Sequence, residues 1–149
     1  MNADTQKIKL TLPASAEFVD IVRLNLYGIA SKMGFSYEEI EDMKVAVSEA
    51  CNNSVLYAYS QEDGVVQVNF EVAEDVLTII VEDQGKSFEG IQNKTPNTMH
   101  DKELHELEVG GLGFYLMQAL MDDVQVDSTD GKGTKVVLTK RLMRSEERV

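Results

Sequence analysis

The stretch Val45–Tyr59, VAVSEACNNSVLYAY, decides how the rest of the chain is read. Its apolar residues recur at helical spacing, and among them Glu49 and Asn53 stand four positions apart, so both polar groups leave the helix on one face. Charged groups are rarely fully buried unless they are paired or meet a ligand. A helix that mixes core contacts with an acid and an amide therefore calls for a chemical explanation. Just upstream, Ser36-Tyr37-Glu38-Glu39 has the form of a capping box, with Ser36 capping and Glu39 reaching back to the opening amide, which starts the helix near Tyr37. The stripe facing the core is then Ile40, Met43, Val47, Ala50 or Cys51, Ser54 and Ala58. At about 100° per residue, Glu49 and Asn53 fall roughly opposite Val47.

Working outward, Ile8, Leu10 and Leu12 alternate within Lys7–Leu12 as a half-buried strand. Pro13 and Ser15 introduce a helix that runs to about Met33, where Gly34 supplies a stop. Its inward stripe is Phe18, Val22, Leu26, Ile29 and Met33, with Val19, Leu24 and Tyr27 outside it. Such a surplus of apolar residues fits either a partner surface or further cover by the same domain. Arg23 lies within it and is a candidate partner contact, because arginine beside exposed apolar groups is the usual interface mixture; an ordinary surface arginine is the alternative. Beyond the turn 61–64, Val66, Val68, Phe70 and Val72 alternate as a strand, and after Glu74-Asp75 the run Val76–Val81 returns as its hairpin partner. A further strand pair is read at Asp123–Ser128 and Lys135–Leu142, joined by the turn 129–133. Between the pairs lie a weakly patterned stretch, 86–109, read as a lid, and an apolar helix, Phe114–Asp123. Strand, helix, helix, two strands, lid, helix, two strands predicts an α+β fold: a two-layer α/β sandwich, its sheet antiparallel or mixed, with the helices on one face.

The 149 residues suit one domain, 1–149, and 43% hydrophobic with 27% charged residues is the composition of a globular protein. A net charge of −12 argues against a nucleic-acid backbone binder, which needs lysine and arginine to neutralise phosphates, and favours a basic protein partner. The single cysteine, Cys51, allows no internal disulfide and is read as a small buried side chain. The opening MNADTQKIKLTL has no apolar signal core, and no window approaches the ~20 apolar residues of a membrane span, so the cytoplasm is the expected compartment.

Two familiar motifs fail on spacing. Gly85-Lys86-Ser87 ends like a phosphate-binding P-loop, but Ile80 stands where that loop needs its first glycine. Gly111-Leu112-Gly113 is followed three residues on by Leu116, not the small residue of the dinucleotide fingerprint. A constellation remains. Asp83-Gln84-Gly85 follows a buried strand, and an ionised aspartate only accepts hydrogen bonds, which suits an exocyclic amine such as adenine N6. Gly110-Gly111-Leu112-Gly113 opens a helix, where free amides and the dipole favour an anion and glycines let phosphate oxygens come close. Gly131-Lys132-Gly133-Thr134 offers a second close backbone approach. Asn53 can give a neutral oxygen to Mg²⁺, and Glu49, one turn away, can accept a proton from an attacking hydroxyl.

In these residues the chain resembles the GHKL family of ATPases. Glu49-Ala50-Cys51-Asn52-Asn53 is similar to its N box, Asp83-Gln84-Gly85 to its first glycine box, Gly110–Gly113 to its second and Gly131–Thr134 to its third, in order and over nearly the whole chain. Within that family the phrases AVSEACNNSVLYAY, GGLGFYLM and LMDDV are most similar to the anti-sigma-factor serine kinases of the sigma-B stress-response type. The resemblance implies a Bergerat-type ATP site, with Asn53 for Mg²⁺, Glu49 as general base and Asp83 for adenine. Gly85, Gly110, Gly111, Leu112, Gly113, Gly133 and Thr134 would surround the nucleotide. It also implies a chain that holds a sigma factor inactive and phosphorylates a serine of an anti-anti-sigma antagonist, usually as a homodimer. A binding module that uses nucleotide without transfer, and a histidine-kinase-type catalytic domain, are the alternatives. Relatives often bring a basic residue just before the second glycine box, where this chain has Glu108 and Val109, so the charge for the γ-phosphate is unassigned, with Lys86, Lys94 and Lys102 as candidates. His100 and His105 lie in the lid and are read as solvated.

Overall fold

Alternation of apolar and polar residues builds the sheet. The computed structural model describes residues 5–55, 64–83, 112–129 and 133–143. The lid with its lysines and histidines, Gly85, Gly110, Gly111, Gly131, Lys132 and Ala58 lie outside the described residues. Five strands, β1 (Gln6–Pro13), β2 (Val65–Val72), β3 (Val76–Asp83), β4 (Asp123–Thr129) and β5 (Gly133–Arg141), form one sheet in the order β1-β2-β3-β5-β4. Every pairing among them is antiparallel, the simpler of the two arrangements expected. The hairpin of β2 and β3 forms as expected, and β5 then lies against β3, leaving β4 at the edge.

One face of the sheet is apolar: Val66, Val68 and Phe70 of β2, Leu77, Ile79 and Val81 of β3, and Val136 and Leu138 of β5 are buried. Three helices join the same core: α1 (Val19–Met33), α2 (Tyr37–Asn53) and α3 (Leu112–Leu120). Strand β3 runs two residues past the expected Val81, because Glu82 and Asp83 pair with Lys135 and Thr134 of β5. That register carries the inward face beyond its apolar part and ends it in Asp83 and Thr134, each 4% exposed.

Both expected helix signals operate. Ser36 Oγ accepts from the Glu39 amide at 3.1 Å, and Glu39 Oε1 accepts from the Ser36 amide at 2.8 Å, closing the capping box of α2. Gly34, at φ 105°, ends α1 in the left-handed region. Its amide donates to Ser31 O and that of Phe35 to Ala30 O, which satisfies the last carbonyls in a Schellman arrangement.

Three expectations need correction. Val19 is buried, not outside the stripe; the inward residues of α1 are Val19, Val22, Leu26 and Ala30, while Phe18, Ile29 and Met33 flank them half-buried. Val19 stands three residues before Val22 inside α1 and so shares its face, whereas Phe18 belongs to the preceding 3₁₀ turn Ala16–Phe18. The third helix starts at Leu112 and stops at Leu120 instead of running to Asp123. Asp122 ends it by bonding β5, its amide donating to Thr139 O and its Oδ2 accepting from the Arg141 amide. The last strand spans Gly133–Arg141, earlier than expected at both ends. Lys140 Nζ donates to Leu120 O at 3.0 Å, placing a cation at the C-terminus of α3, where the helix dipole favours it. No helix among the described residues is long and apolar enough to cross a membrane.

Candidate functional site

The expected residues that are described lie on the C-terminal half of α2, the end of β3, the start of β5 and the first turn of α3. On α2, Ala46, Val47, Ala50 and Cys51 are buried, while Glu49 and Asn53 are half-buried on the remaining face. Beyond Asn53 the helix continues in a wider, π-type turn at residues 54–55. Such turns are rare in helices and recur at functional positions.

Asp83 is tied to this turn. Ser54 Oγ donates to Asp83 Oδ2 at 2.8 Å across a sequence separation of 29 residues, and both side chains are buried. Thr134, the register partner of Asp83 on β5, is equally buried. A buried carboxylate is tolerated where donors satisfy it, and this one sits at the polar end of an otherwise apolar sheet face.

Gly113 belongs to the first turn of α3 and packs directly on Glu49. A side-chain carbon added there would stand 2.5 Å from Glu49 Oε1 and 3.4 Å from its Cδ, so only glycine admits the carboxylate at this spot. Leu112 beside it is 52% exposed. Gly133 is buried with φ 89°, a conformation that favours glycine at the entry to β5. The structure thus joins Glu49 to Gly113 and Asp83 to Ser54, with Thr134 in register and Asn53 on the turn between Glu49 and Ser54.

Arg23 lies elsewhere, at the seam of α1 and α2. Its guanidinium donates to Ser48 Oγ at 2.7 Å and pairs with Asp20, while a third of the side chain stays exposed. Beneath it, burial pushes the Cys51 thiol up to about 12, with the Arg23 charge acting in the opposite direction. This agrees with the reading of Cys51 as an inert buried side chain.

Periodicity placed Ser54 in the core and so missed it as a partner of the site; a serine on a core stripe is itself the signal, since a buried hydroxyl must find a bonding partner. Nothing in the pattern pointed to Ser48 as the acceptor for Arg23.

The fold and this constellation define a class of nucleotide-binding domain, and comparison with known proteins agrees. The profile of the family described as "Histidine kinase-like ATPase domain" matches residues 12–140. The protein named "Serine-protein kinase RsbW" from Bacillus pumilus is 49% identical, the alignment covering 97% of this chain and 91% of that one. Its namesake from Bacillus licheniformis is 50% identical over 92% and 86% of the two chains, and that from Bacillus subtilis 44% identical over 95% and 89%. Among solved structures, the RsbU and RsbW domains of Rv1364c from Mycobacterium tuberculosis superpose with a TM-score of 0.68 at 22% identity, covering 93% of this chain and 32% of that longer one; this likeness speaks to fold alone. The chain belongs to the RsbW family of serine-protein kinases, within the histidine kinase-like ATPase domains.

Proposed function

We propose that this chain is an anti-sigma factor with Mg-ATP-dependent protein serine kinase activity. It sequesters a sigma factor in the cytoplasm and phosphorylates a serine of that factor's anti-anti-sigma antagonist. The observation that carries the reading is the packing of Gly113 on Glu49, which sets a glycine-opened helix N-terminus against the one acid of the N-box segment. Two observations support a nucleotide here: Gly113 has no side chain to displace the Glu49 carboxylate from the start of α3, and Asp83 is a buried acceptor held by Ser54.

Bound Mg-ATP supplies the γ-phosphoryl group and the metal charge that its transfer requires. Asp83, as an ionised carboxylate, accepts from the exocyclic amine of the base. The N-terminus of α3 at Leu112 and Gly113 would hold the phosphates; Gly85, Gly110, Gly111, Gly133 and Thr134 are the further nucleotide-binding residues of this reading. Asn53 lends its neutral side-chain oxygen to Mg²⁺. Glu49 accepts the proton of the attacking serine hydroxyl.

The partner surface in this reading is the outer side of α1. Leu24 is 69% and Tyr27 49% exposed there, beside Arg23, a mixture of apolar side chains and arginine typical of interfaces. A homodimer, with the sigma factor and the antagonist as alternative partners, is the assembly proposed. Incubation with γ-labelled ATP and the candidate antagonist tests the function. Acid-stable label on an antagonist serine supports it. Nucleotide-dependent capture of the sigma factor without label on any partner points to a binding module, and acid-labile phosphohistidine to a histidine kinase.

A further inference from the structure

We propose that Ser54 is a positioning residue for base selection: by donating to Asp83 Oδ2 it holds this carboxylate as a fixed acceptor, which admits adenine and rejects guanine. The inference rests on the reading of this site as the ATP site.

Three observations carry it. Ser54 and Asp83 are 3% and 4% exposed and lie 2.8 Å apart, so their bond is formed out of water, where a hydrogen bond is electrostatically stronger. Asp83 is the last inward residue of β3 and Thr134 its register partner, so its backbone is fixed by the sheet. Ser54 lies on the π-type turn that follows Asn53, so the metal-facing amide and the hydroxyl that holds Asp83 are consecutive residues.

The chemistry of selection follows from charge. An ionised carboxylate has no proton to give. It accepts from the amine that adenine carries at position 6, and it faces the oxygen that guanine carries there with like partial charge. A hydrogen bond to the charged form keeps the carboxylate ionised. A protonated Asp83 would instead donate to the guanine oxygen, and the discrimination would fall.

The test uses the full chain and compares wild type with Ser54→Ala and Ser54→Thr, the second keeping the hydroxyl. Titration of the Asp83 side-chain carbon by NMR without nucleotide, and calorimetric dissociation constants for Mg-ATP and Mg-GTP, give independent readings. In Ser54→Ala the Asp83 titration moves to higher pH and the preference for ATP over GTP drops at least about tenfold; Ser54→Thr restores both. If Ser54→Ala does not fold, Ser54→Cys, close in shape but a weak donor, takes its place with the same expected direction. An Asp83 titration unchanged from wild type overturns the proposal, as does equal loss of ATP and GTP affinity, which marks a structural role only. Wild-type protein that fails to bind ATP overturns the ATP-site reading itself and the inference with it; wild type that prefers ATP beside an unchanged Ser54→Ala overturns the inference alone.

Discussion

Gly113 and Glu49 share one volume: the space a side-chain carbon on the glycine would take lies 2.5 Å from the Glu49 carboxylate oxygen and 3.6 Å from Glu49 Cβ. The obstructing atom is the end of a flexible side chain, so Gly113→Ala moves the carboxylate and leaves the helices in place. Alanine also favours the helical state over glycine by about 1 kcal/mol. The variant is therefore expected to melt at or above the wild-type temperature while phosphotransfer falls about 100-fold, the scale of an ångström-level misplacement of a reacting group. Thermal melting beside a labelled-ATP assay checks both halves, and a loss of stability matching the loss of activity would refute the account.

Glu49→Gln keeps the shape of the side chain and removes its ability to take a proton. A general base contributes about 100- to 10,000-fold, so phosphotransfer should fall by that order while ATP affinity stays within a few-fold of wild type. Calorimetry and a transfer assay on the same preparation separate the two, and equal loss of binding would count against the base assignment.

Asn53 stands one turn after Glu49, half-buried on the same face. Asn53→Ala should weaken nucleotide binding at least about tenfold in the presence of Mg²⁺ and much less in its absence, since the neutral oxygen it loses is a metal ligand in the proposed site. Titrations with and without EDTA decide it; identical losses in both would assign Asn53 to packing.

Much of this arrangement is legible before any coordinates are seen, for identifiable reasons. Strand β2 follows from alternation and β3 from the apolar run behind the Glu74-Asp75 turn, and the ends of α1 and α2 from Gly34 and Ser36, because these signals are local. Val19 is misread because a stripe counted from Phe18 starts on a residue that the structure assigns to a 3₁₀ turn ahead of α1, although Val19 itself shares a face with Val22. The Ser54 bond to Asp83 and the Arg23 bond to Ser48 join residues 29 and 25 apart, and periodicity tells which face a residue occupies, not which distant group meets it there. The four glycine and acid boxes are readable as a set, yet only the structure brings Gly113 onto Glu49.

The capping box is a separate lever on stability. Ser36→Ala removes the hydroxyl that accepts from Glu39 N at 3.1 Å at the start of α2, the helix that carries Glu49 and Asn53. The expected cost is about 1 kcal/mol, or about 2–4 °C in Tm for a domain of this size, with ATP affinity unchanged because the site lies at the other end of the helix. Urea unfolding and ATP titration test this, and a fall in affinity at constant stability would contradict it.

Cys51 links stability to alkaline pH. Burial raises its thiol from 9.0 to about 12, against the opposing pull of Arg23. Below pH 9 both the folded and the unfolded chain hold the proton, and this group adds no pH dependence. Between 9.0 and about 12 the unfolded chain releases it while the folded chain keeps it. The folded state then binds more protons, so stability falls as pH rises, by up to about 1.4 kcal/mol per pH unit from this group. Cys51→Ala leaves every other titratable group in place, so the difference between the two proteins isolates the thiol. Urea unfolding at pH 8, 9.5 and 10.5 should show the wild type losing ground to Cys51→Ala at the two higher values. Parallel curves would mean that the folded thiol titrates normally, and rapid reaction of native protein with a thiol reagent at pH 8 would say the same.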